Sequence, residues 1–253
     1  MKFLKPFIYK LLCNSISGTI IRVVFGKNIP DIRWPHYRFN VPGHSVNKTI
    51  LASIFWGFYE SSEIRFVEKY LEGTNDVIEL GSSLGIVSSH IAAKLKPGKK
   101  FLLVEANPYL SETINNNISR FMTADTEYKI INKAIGYNST SANLHISNNN
   151  TETRVADQAS QEGHQVAVCK LSEIISQEGI SDYTLVCDIE GSEAGVLESD
   201  KDSLRHCRQL FIELHDTEYN GRKYSIESFL SILTGELGFK VRAHEGPVFL
   251  LER

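Results

Sequence analysis

Short apolar runs alternate with stretches of helical spacing along most of the chain. The runs predict strands, and the stretches predict helices that connect successive strands. The predicted strands are residues 77–80, 101–104, 128–135, 183–187 and 209–214, and the predicted helices are residues 86–95, 108–121 and 193–204. Strands that alternate with helices form parallel sheets through right-handed crossovers. The pattern therefore predicts an α/β fold built around a mainly parallel sheet.

The last part of the chain has a different pattern. Two more strands are predicted at residues 239–243 and 248–251, and only residues 244–247 separate them. That link is too short for a helical crossover between parallel strands. We therefore expect the sheet to end in an antiparallel hairpin.

Residues 1–72 are predicted to form a helical N-terminal extension, and residues 73–253 the main domain. Apolar residues recur at three- and four-residue spacing over residues 50–72, as in a helix. Residues 1–27 are basic and amphipathic, and contain no acidic residue. Such a helix commonly packs on its own domain, and we expect that arrangement here. The alternative is peripheral contact with an anionic membrane surface.

Residues 138–163 are rich in Asn, Ser, Thr and Gln, and only Leu144 and Ile146 alternate as in a strand. We interpret this segment as a long hairpin or an excursion between two parallel strands. Connections of this length are often functional. The segment is therefore a candidate lid or acceptor-binding surface.

Composition narrows the classes of partner. The chain has 253 residues and a formal net charge of −3, so it lacks the basic field expected of a nucleic-acid-binding protein. No apolar run reaches the roughly 18–20 residues of a membrane-spanning helix. The four cysteines form no C-x-x-C pair. Reduced thiols indicate a cytoplasmic protein, located at the inner membrane face if residues 1–27 bind lipid.

Acidic side chains lie at the ends of four predicted strands: Glu79, Glu105, Asp188 and Glu213. Ligands of open parallel sheets bind beyond the carboxyl ends of the strands. Carboxylates gathered there lose solvation and repel each other. A cationic or polyhydroxyl ligand would relieve both effects.

The first turn, Gly81-Ser82-Ser83-Leu84-Gly85, lacks the G-x-G-x-x-G spacing of a dinucleotide site. Glu79 would repel a pyrophosphate but attract a sulfonium and an amino group, which indicates S-adenosylmethionine. Glu105 follows at the distance where a second-strand carboxylate accepts hydrogen bonds from ribose hydroxyls. We expect Gly81 and Gly85 to allow close backbone approach to this cofactor.

The same turn also matches the G-x-S-x-G nucleophile elbow of hydrolases. Ser83, Asp188 and His215 follow one another in the order of a hydrolase triad. That elbow normally follows several strands, however, and a hydrolase would leave Glu79 and Glu105 without a role. A serine hydrolase is therefore the second hypothesis.

Several segments together resemble the FkbM-type family of S-adenosylmethionine-dependent methyltransferases. The resemblance extends from about Trp56 to Glu213. The segments that carry it are Trp56-Gly57-Phe58-Tyr59-Glu60, residues 77–85, residues 103–108, Asn132-Lys133-Ala134-Ile135-Gly136, Leu185-Val186-Cys187-Asp188-Ile189-Glu190-Gly191-Ser192-Glu193 and Phe211-Ile212-Glu213-Leu214-His215. Cys187 stands where many members carry Lys, Ala106 replaces a proline, and Glu79 replaces the common Asp.

The resemblance implies a Rossmann-like class I methyltransferase fold, with a seven-stranded sheet whose last strand is antiparallel. It also implies O-methylation of sugars or of hydroxyls on secondary metabolites. A membrane-linked glycan precursor is the acceptor that we expect. The expected cofactor-binding residues are Tyr59, Glu60, Glu79, Gly81, Ser82, Ser83, Gly85, Glu105, Ala106, Asn107, Ala134 and Asp188.

Three residues are candidates for catalysis. Asp188 is the first choice to sit beside the transferred methyl group, as a base or an acceptor anchor. His215 is the alternative base because histidine titrates near neutrality, and Glu190 is a candidate acceptor contact. A magnesium or manganese site formed by Asp188 with Glu213, His215 or Asp216 stays open. A fold that binds the cofactor without catalysis is the third hypothesis.

Overall fold

A seven-stranded sheet lies at the centre of the computed structural model, which describes residues 4–43, 45–146, 153–156 and 164–253. The described helices are α1 (Leu4–Leu12), α2 (Ser15–Phe25), α3 (Lys48–Phe55), α4 (Ser61–Tyr70), α5 (Ile86–Lys94), α6 (Ser111–Ile118), α7 (Leu171–Glu178), α8 (Glu193–Ser199) and α9 (Ile226–Ser231). The described strands are β1 (Asn28–Pro30), β2 (Arg38–Asn40), β3 (Asp76–Leu80), β4 (Lys100–Val104), β5 (Glu127–Ile131), β6 (Ala134–Ile135), β7 (Ser141–Ile146), β8 (Thr153–Ala156), β9 (His164–Cys169), β10 (Tyr183–Cys187), β11 (Cys207–Glu213), β12 (Thr217–Tyr219), β13 (Arg222–Tyr224), β14 (Lys240–Glu245) and β15 (Val248–Glu252).

The strand order of the central sheet is β14-β15-β11-β10-β3-β4-β5. The five strands from β11 to β5 in this order are parallel, whereas β15 pairs antiparallel with both β11 and β14. The predicted α/β fold and its terminal hairpin are therefore confirmed. The order reverses between β3 and β10, where the chain returns across the sheet. Ligands of doubly wound folds bind at such a switch point.

Alternating residues of the central strands enter two separate cores. Val77 and Phe101 pack with residues of α4, α5 and α6 on one face. Ile78 and Leu102 pack with residues of α7, α8 and α9 on the other face. Because successive strand residues point to opposite faces, strands covered by helices on both sides are apolar throughout.

The predicted strand 128–135 is two strands in the structure. β5 ends at Ile131, where the Lys133 N–H donates back to the Ile131 carbonyl at 3.0 Å. The chain then leaves the central sheet, and β6 joins a second sheet with the order β6-β9-β7-β8. The sequence pattern did not predict β9, because its residues are alternately exposed and its apolar signal is weak.

The polar segment 138–163 contains a hairpin, as one of its two interpretations predicts. β7 and β8 pair antiparallel, with Leu144 opposite Val155. Residues 147–152 and 157–163 lie outside the described part of the chain. The role of this segment as a lid stays a prediction.

The N-terminal extension is less uniformly helical than predicted, because β1 and β2 form a two-stranded antiparallel sheet within it. The basic segment 1–27 contributes α1 and α2 as separate helices. In the described ranges, no single helix has the length and apolar character needed to cross a bilayer. The helical segments Pro6–Leu12 and Ser15–Phe25 have that length and apolar character only when they are taken together, and the angle between them is 53°.

The carboxyl ends of β3 and β10 approach each other closely at Gly81. The Asp188 N–H donates to the Leu80 carbonyl at 2.9 Å. A Cβ on Gly81 would lie 1.8 Å from the Asp188 carbonyl oxygen, and Gly81 has a φ of +90°. A larger residue would therefore force the two strand ends apart.

Gly81→Ala should lower the free energy of unfolding by about 2–4 kcal/mol, because a positive φ and a steric overlap both oppose Ala. Gly98→Ala is the matched control, since Gly98 has a φ of +77° and open space around it. That control should lose only about 1 kcal/mol. Urea unfolding measures both, and equal losses would show that the close approach of the strands contributes nothing.

Candidate active site

The loop at residues 81–85 is fastened to the end of β4. The amides of Gly81 and Ser82 both donate to the Val104 carbonyl, at 2.9 and 3.2 Å. Ser83 then adopts a φ of +45°, and Gly85 a φ of +73° directly before α5. The loop therefore turns sharply at the switch point of the sheet.

The two glycines have a structural role in addition to the expected approach to the cofactor, which stays a prediction. The Cβ direction of Gly81 points at the Asp188 carbonyl, as described above. A Cβ on Gly85 would lie 3.0 Å from the Ile114 Cα in α6. Both glycines therefore allow close approach to protein backbone, and their conformation shapes the loop that a cofactor would contact.

Glu105 follows β4 and is held by backbone amides. Its Oε2 accepts from the Ser83 N–H at 2.8 Å, and its Oε1 from the Asn107 N–H at 2.7 Å. The side chain is 6% exposed, and burial raises the pKa of its carboxyl group although these amides oppose the shift. Each carboxylate oxygen has further acceptor capacity for a ligand hydroxyl.

Tyr59 and Glu60 reach the loop from the connection between α3 and α4. The Tyr59 hydroxyl lies 3.2 Å from the Ser83 hydroxyl. Glu60 has a φ of +44°, an uncommon conformation for a residue with a Cβ. Burial raises the pKa of its carboxyl group to about 7, and the nearby Glu213 and Glu190 add to the shift.

Glu79 lies in β3 beneath the loop and is 2% exposed. The Ser88 hydroxyl donates to its Oε2 at 2.5 Å. Burial nevertheless raises the pKa of Glu79 to about 7. Glu79 lines a small inner cavity, into which Glu63 of α4 and Asp188 also project.

Asp188 directly follows β10 and is surrounded by other carboxyl groups. We call these groups the acidic cluster, which consists of Glu60, Glu63, Asp188, Glu190 and Glu213. Burial and then Glu60, Glu213 and Glu190 raise the pKa of Asp188 well above its usual range. Its Oδ1 is buried and has no hydrogen-bond partner among the described residues. The cluster therefore presents an orphaned acceptor to any bound cation.

His215 follows β11 and faces carboxylates with both ring nitrogens. Its Nδ1 lies 3.3 Å from Glu193 Oε1, and its Nε2 lies 3.8 Å from both Glu190 Oε2 and Glu213 Oε1. The hydrogen bond to Glu193 outweighs desolvation and raises the pKa of His215 to about 9. His215 is therefore a cation at neutral pH.

The structure brings most of the predicted residues to one edge cleft, which Tyr59, Glu60, Gly81, Ser83, Glu105, Ala106, Ala134, Asp188 and Glu190 all line. Glu79 and Ser82 line the inner cavity instead. Of the predicted residues, all of which are described, Gly85, Asn107 and His215 line neither cavity. The Asn107 backbone amide donates a hydrogen bond to Glu105, and the His215 ring lies 3.8 Å from Glu190.

Sequence reasoning misses Glu63, because it lies on a helix before the first parallel strand. Its position offers one signal: Glu63 and Val67 are four residues apart on the buried face of α4. A carboxylate within an apolar stripe is costly unless it is protonated or paired. Burial, Asp188 and Glu60 raise the pKa of Glu63 well above its usual range.

The contacts do not assemble the hydrolase triad. The partner of the Ser83 hydroxyl is Tyr59, whereas the His215 ring contacts Glu190, Glu193 and Glu213. Glu105 also holds the Ser83 amide. In the described contacts, Ser83 therefore has no histidine base.

The site fits S-adenosylmethionine in three respects. The acidic cluster offers an orphaned oxygen to a positive charge, Glu105 keeps acceptor capacity for hydroxyl groups, and the loop turns sharply between them. A seven-stranded sheet with an antiparallel strand inserted near one edge, together with this acidic switch-point cleft, defines a class I methyltransferase. The donor of that class is S-adenosylmethionine.

A family model described as the methyltransferase FkbM domain matches residues 73–241. The chain belongs to this family, which confirms the resemblance found in its motifs. It is thus a methyltransferase that depends on S-adenosylmethionine. Among curated proteins, none matches this chain.

Solved structures with similar folds have low sequence identity to the chain. A protein of the NADB-Rossmann superfamily from Streptococcus agalactiae is 13% identical, with a TM-score of 0.42 over 75% of this chain and 65% of that chain. Precorrin-6y C5,15-methyltransferase from Geobacter metallireducens is 12% identical, with a TM-score of 0.40 over 76% and 86%. Fibrillarin from Aeropyrum pernix, with natively bound S-adenosylmethionine, is 9% identical, with a TM-score of 0.38 over 75% and 76%.

Binding of S-adenosylmethionine should release protons near pH 7. Glu60 and Glu79, each with a pKa of about 7, are partly protonated in the free protein, and a bound cation favours their ionised forms. Affinity should therefore rise from pH 6 to 8 and level off above this range. Calorimetry in buffers of different ionisation enthalpy measures the released protons.

S-adenosylhomocysteine is the matched control for this prediction, because it lacks the sulfonium charge. It should release fewer protons and show a weaker dependence on pH. Equal proton release by the two ligands would show that the sulfonium charge does not cause the proton release.

Proposed function

We propose that the protein transfers a methyl group from S-adenosylmethionine to a hydroxyl of a sugar or a similar polyhydroxyl acceptor. The observation that carries this proposal is a second cavity that adjoins the edge cleft and is distinct from the small inner cavity at Glu79. Ile135, Glu190 and Ser192 line both spaces. An acceptor held in the second cavity would have access to the cleft at Asp188 and Glu190.

The second cavity, which we call the acceptor cavity, has the chemistry of a polyhydroxyl site. Its volume is about 490 Å³, within the range of about 300–1,000 Å³ typical of small-molecule sites. Its neutral polar lining consists of Asn138, Ser139, Ser141, Asn143, Gln165, Ser192 and Thr217. Amides and hydroxyls both donate and accept hydrogen bonds, as sugar hydroxyls require.

Two tyrosines give the acceptor cavity an aromatic wall. Gly195 lies beside both rings, since a Cβ there would be 2.9 Å from Tyr137 and 3.3 Å from Tyr219. The Tyr137 hydroxyl donates to Asp200, whereas the buried Tyr219 hydroxyl has no partner among the described residues. We propose that a bound acceptor supplies the partner that this hydroxyl lacks.

Bound S-adenosylmethionine supplies an electrophilic methyl group on a positively charged sulfur. The protein then has to orient an acceptor oxygen in line and receive its proton. Asp188 is suited to the second task, because its carboxyl group lines the cleft and a neighbouring positive charge favours its ionised form. His215 is a weaker candidate base, since its pKa of about 9 keeps it protonated at pH 7. We therefore assign Asp188 as the base that receives the proton. We assign His215 as the cation that balances the negative charge of Glu190.

A panel of free sugars, nucleotide sugars, glycans, hydroxylated lipids and other hydroxylated metabolites tests the proposal. We expect turnover with a sugar-containing acceptor, measured as S-adenosylhomocysteine formation and as a methyl ether on the acceptor by mass spectrometry. Tight binding of S-adenosylmethionine without turnover on any sugar-containing member would contradict the proposed class of acceptor. Labelling of Ser83 by a serine-reactive phosphonate would favour a hydrolase.

Two variants and one control distinguish the residue that acts as the base from a residue that binds the acceptor, in the same assay. Asp188→Asn should reduce kcat by about 10²–10⁴-fold, the contribution of a positioned base. Tyr219→Phe should raise the acceptor KM by about 2- to 10-fold, the cost of one neutral hydrogen bond, with kcat unchanged. Tyr109→Phe is the control, because Tyr109 is 58% exposed and lies outside the acceptor cavity. Normal kcat in Asp188→Asn would contradict the assigned base.

Turnover should survive exhaustive EDTA treatment. Asp188, Glu193 and His215 can offer ligand atoms within 4.8 Å of one another, a composition that also suits a divalent metal. Both nitrogens of His215 already face carboxylates, however, so the imidazolium supplies positive charge there. The measurement is the rate before and after chelation. Loss of activity that magnesium or manganese restores would show that the reaction requires a divalent metal.

A further inference from the structure

The first two helices expose an unusual amount of apolar surface. Of the eleven large apolar side chains that are exposed in the described part of the chain, seven lie in α1 and α2. They are Phe7 (68% exposed), Tyr9 (39%), Leu11 (64%), Ile16 (75%), Ile20 (59%), Val23 (79%) and Val24 (64%). Such concentration of exposed apolar residues marks an interaction surface rather than ordinary scatter.

Helix α2 has two apolar faces, and only one of them packs on the protein. Gly18 lies against α3 so closely that a Cβ would be 1.9 Å from the Lys48 carbonyl oxygen. Ile21, on the same face, is 5% exposed. Ile16, Ile20 and Val23 follow one another at helical spacing on the opposite face. Docking on α3 therefore fixes α2 with its second apolar face towards solvent.

The docking of both helices is supported by specific side-chain contacts. Trp56 Nε1 donates to the Ser17 hydroxyl at 3.1 Å, and the rings of Tyr9 and Phe58 meet edge to face at 5.7 Å. Asn14 caps α2 by accepting from the Ile16 and Ser17 amides. These contacts therefore fix both helices, and their exposed surface, in place on the protein.

The segment that contains α1 and α2 carries charge of one sign. The first 30 residues carry five basic side chains, Lys2, Lys5, Lys10, Arg22 and Lys27, and no acidic one. The net charge of the whole chain is −3, so the rest of the chain carries −8 against the +5 of this segment. A second copy of the chain would bring an equal positive charge to the same surface. An anionic lipid surface is complementary to it.

We propose that α1 and α2 bind side by side in the interface of an anionic phospholipid bilayer, with their exposed apolar residues among the acyl chains. Basic residues that flank an apolar helix face are typical of helices that lie in the membrane plane. Neither helix is long enough to span a bilayer, and the 53° bend between them suits helices that lie on its surface. This proposal stands apart from the proposed reaction.

Flotation of the full chain with lipid vesicles tests the proposal. The folded protein should float with vesicles of phosphatidylcholine and phosphatidylglycerol, and bind at least tenfold less to vesicles of phosphatidylcholine alone. Raising the salt concentration should weaken binding, because salt screens charge attraction. Absence of binding to anionic vesicles would overturn the proposal.

The double variant Ile20→Glu/Val23→Glu should bind anionic vesicles at least tenfold more weakly than the original chain. The matched control is Ile32→Glu/Val241→Glu, which changes two exposed apolar residues outside α1 and α2 and should bind normally. Unchanged thermal unfolding and unchanged S-adenosylmethionine affinity show that each variant is folded. Equal vesicle binding by the two double variants would contradict the proposed surface.

Sedimentation without lipid distinguishes the remaining occupant. We expect the original chain and the Ile20→Glu/Val23→Glu variant to have the same oligomeric state in the absence of lipid. A dimer that disappears in this variant, together with no vesicle binding by the original chain, would show that a second copy covers the surface.

Discussion

Burial of several carboxyl groups at one edge of the sheet is the constraint on which the site depends. Ionised carboxylates in a poorly solvated place are costly, by several kcal/mol each, unless protons or cations balance them. Asp188 and Glu63 respond through pKa values far above the usual range. The pKa of His215 is also raised, to about 9, so this side chain holds its proton and supplies positive charge. A cationic donor satisfies this edge, whereas a pyrophosphate would add to the repulsion.

The fold creates this constraint through the register of two strands. Cys187 of β10 pairs with Leu80 of β3, so the residues that follow both strands emerge side by side. Asp188 thereby meets the loop at Gly81, while Glu105 comes from the next strand on the other side. The negative charge is divided between two places: Asp188 has an orphaned oxygen, and Glu105 is engaged by amides. One place suits a cation and the other suits hydroxyl groups, which matches the two ends of the methyl donor.

Much of this arrangement could be predicted from the sequence, because it depends on local patterns. Apolar runs followed by Gly or by acidic residues indicate the parallel strands, and the carboxyl edge follows from their alternation with helices. Glu63 depends instead on where α4 packs, and α4 precedes the sheet in the chain. β9 depends on pairing with distant strands, and its own residues are half exposed. Both required tertiary contacts that no short pattern encodes.

The sequence also does not show why the loop after β3 needs its two glycines. Gly81 and Gly85 fit a cofactor loop by spacing alone, yet their missing side chains make room for Asp188 and Ile114. A pattern shows that a residue without a Cβ is needed but not which atoms need the space. The spacing therefore predicted the right loop for an incomplete reason.

The N-terminal extension belongs to the wall of the site, although the sequence separates it from the main domain. Residues 56–60 connect the two, because Trp56 contacts Ser17, Phe58 contacts Tyr9, and Tyr59 contacts Ser83. Glu60 follows directly in a left-handed conformation, whose cost of about 1–2 kcal/mol has to be offset by surrounding contacts. Those contacts come from α1 and α2 on one side and from the loop after β3 on the other. The position of the Glu60 carboxylate in the cleft therefore depends on helices that lie outside the methyltransferase domain itself.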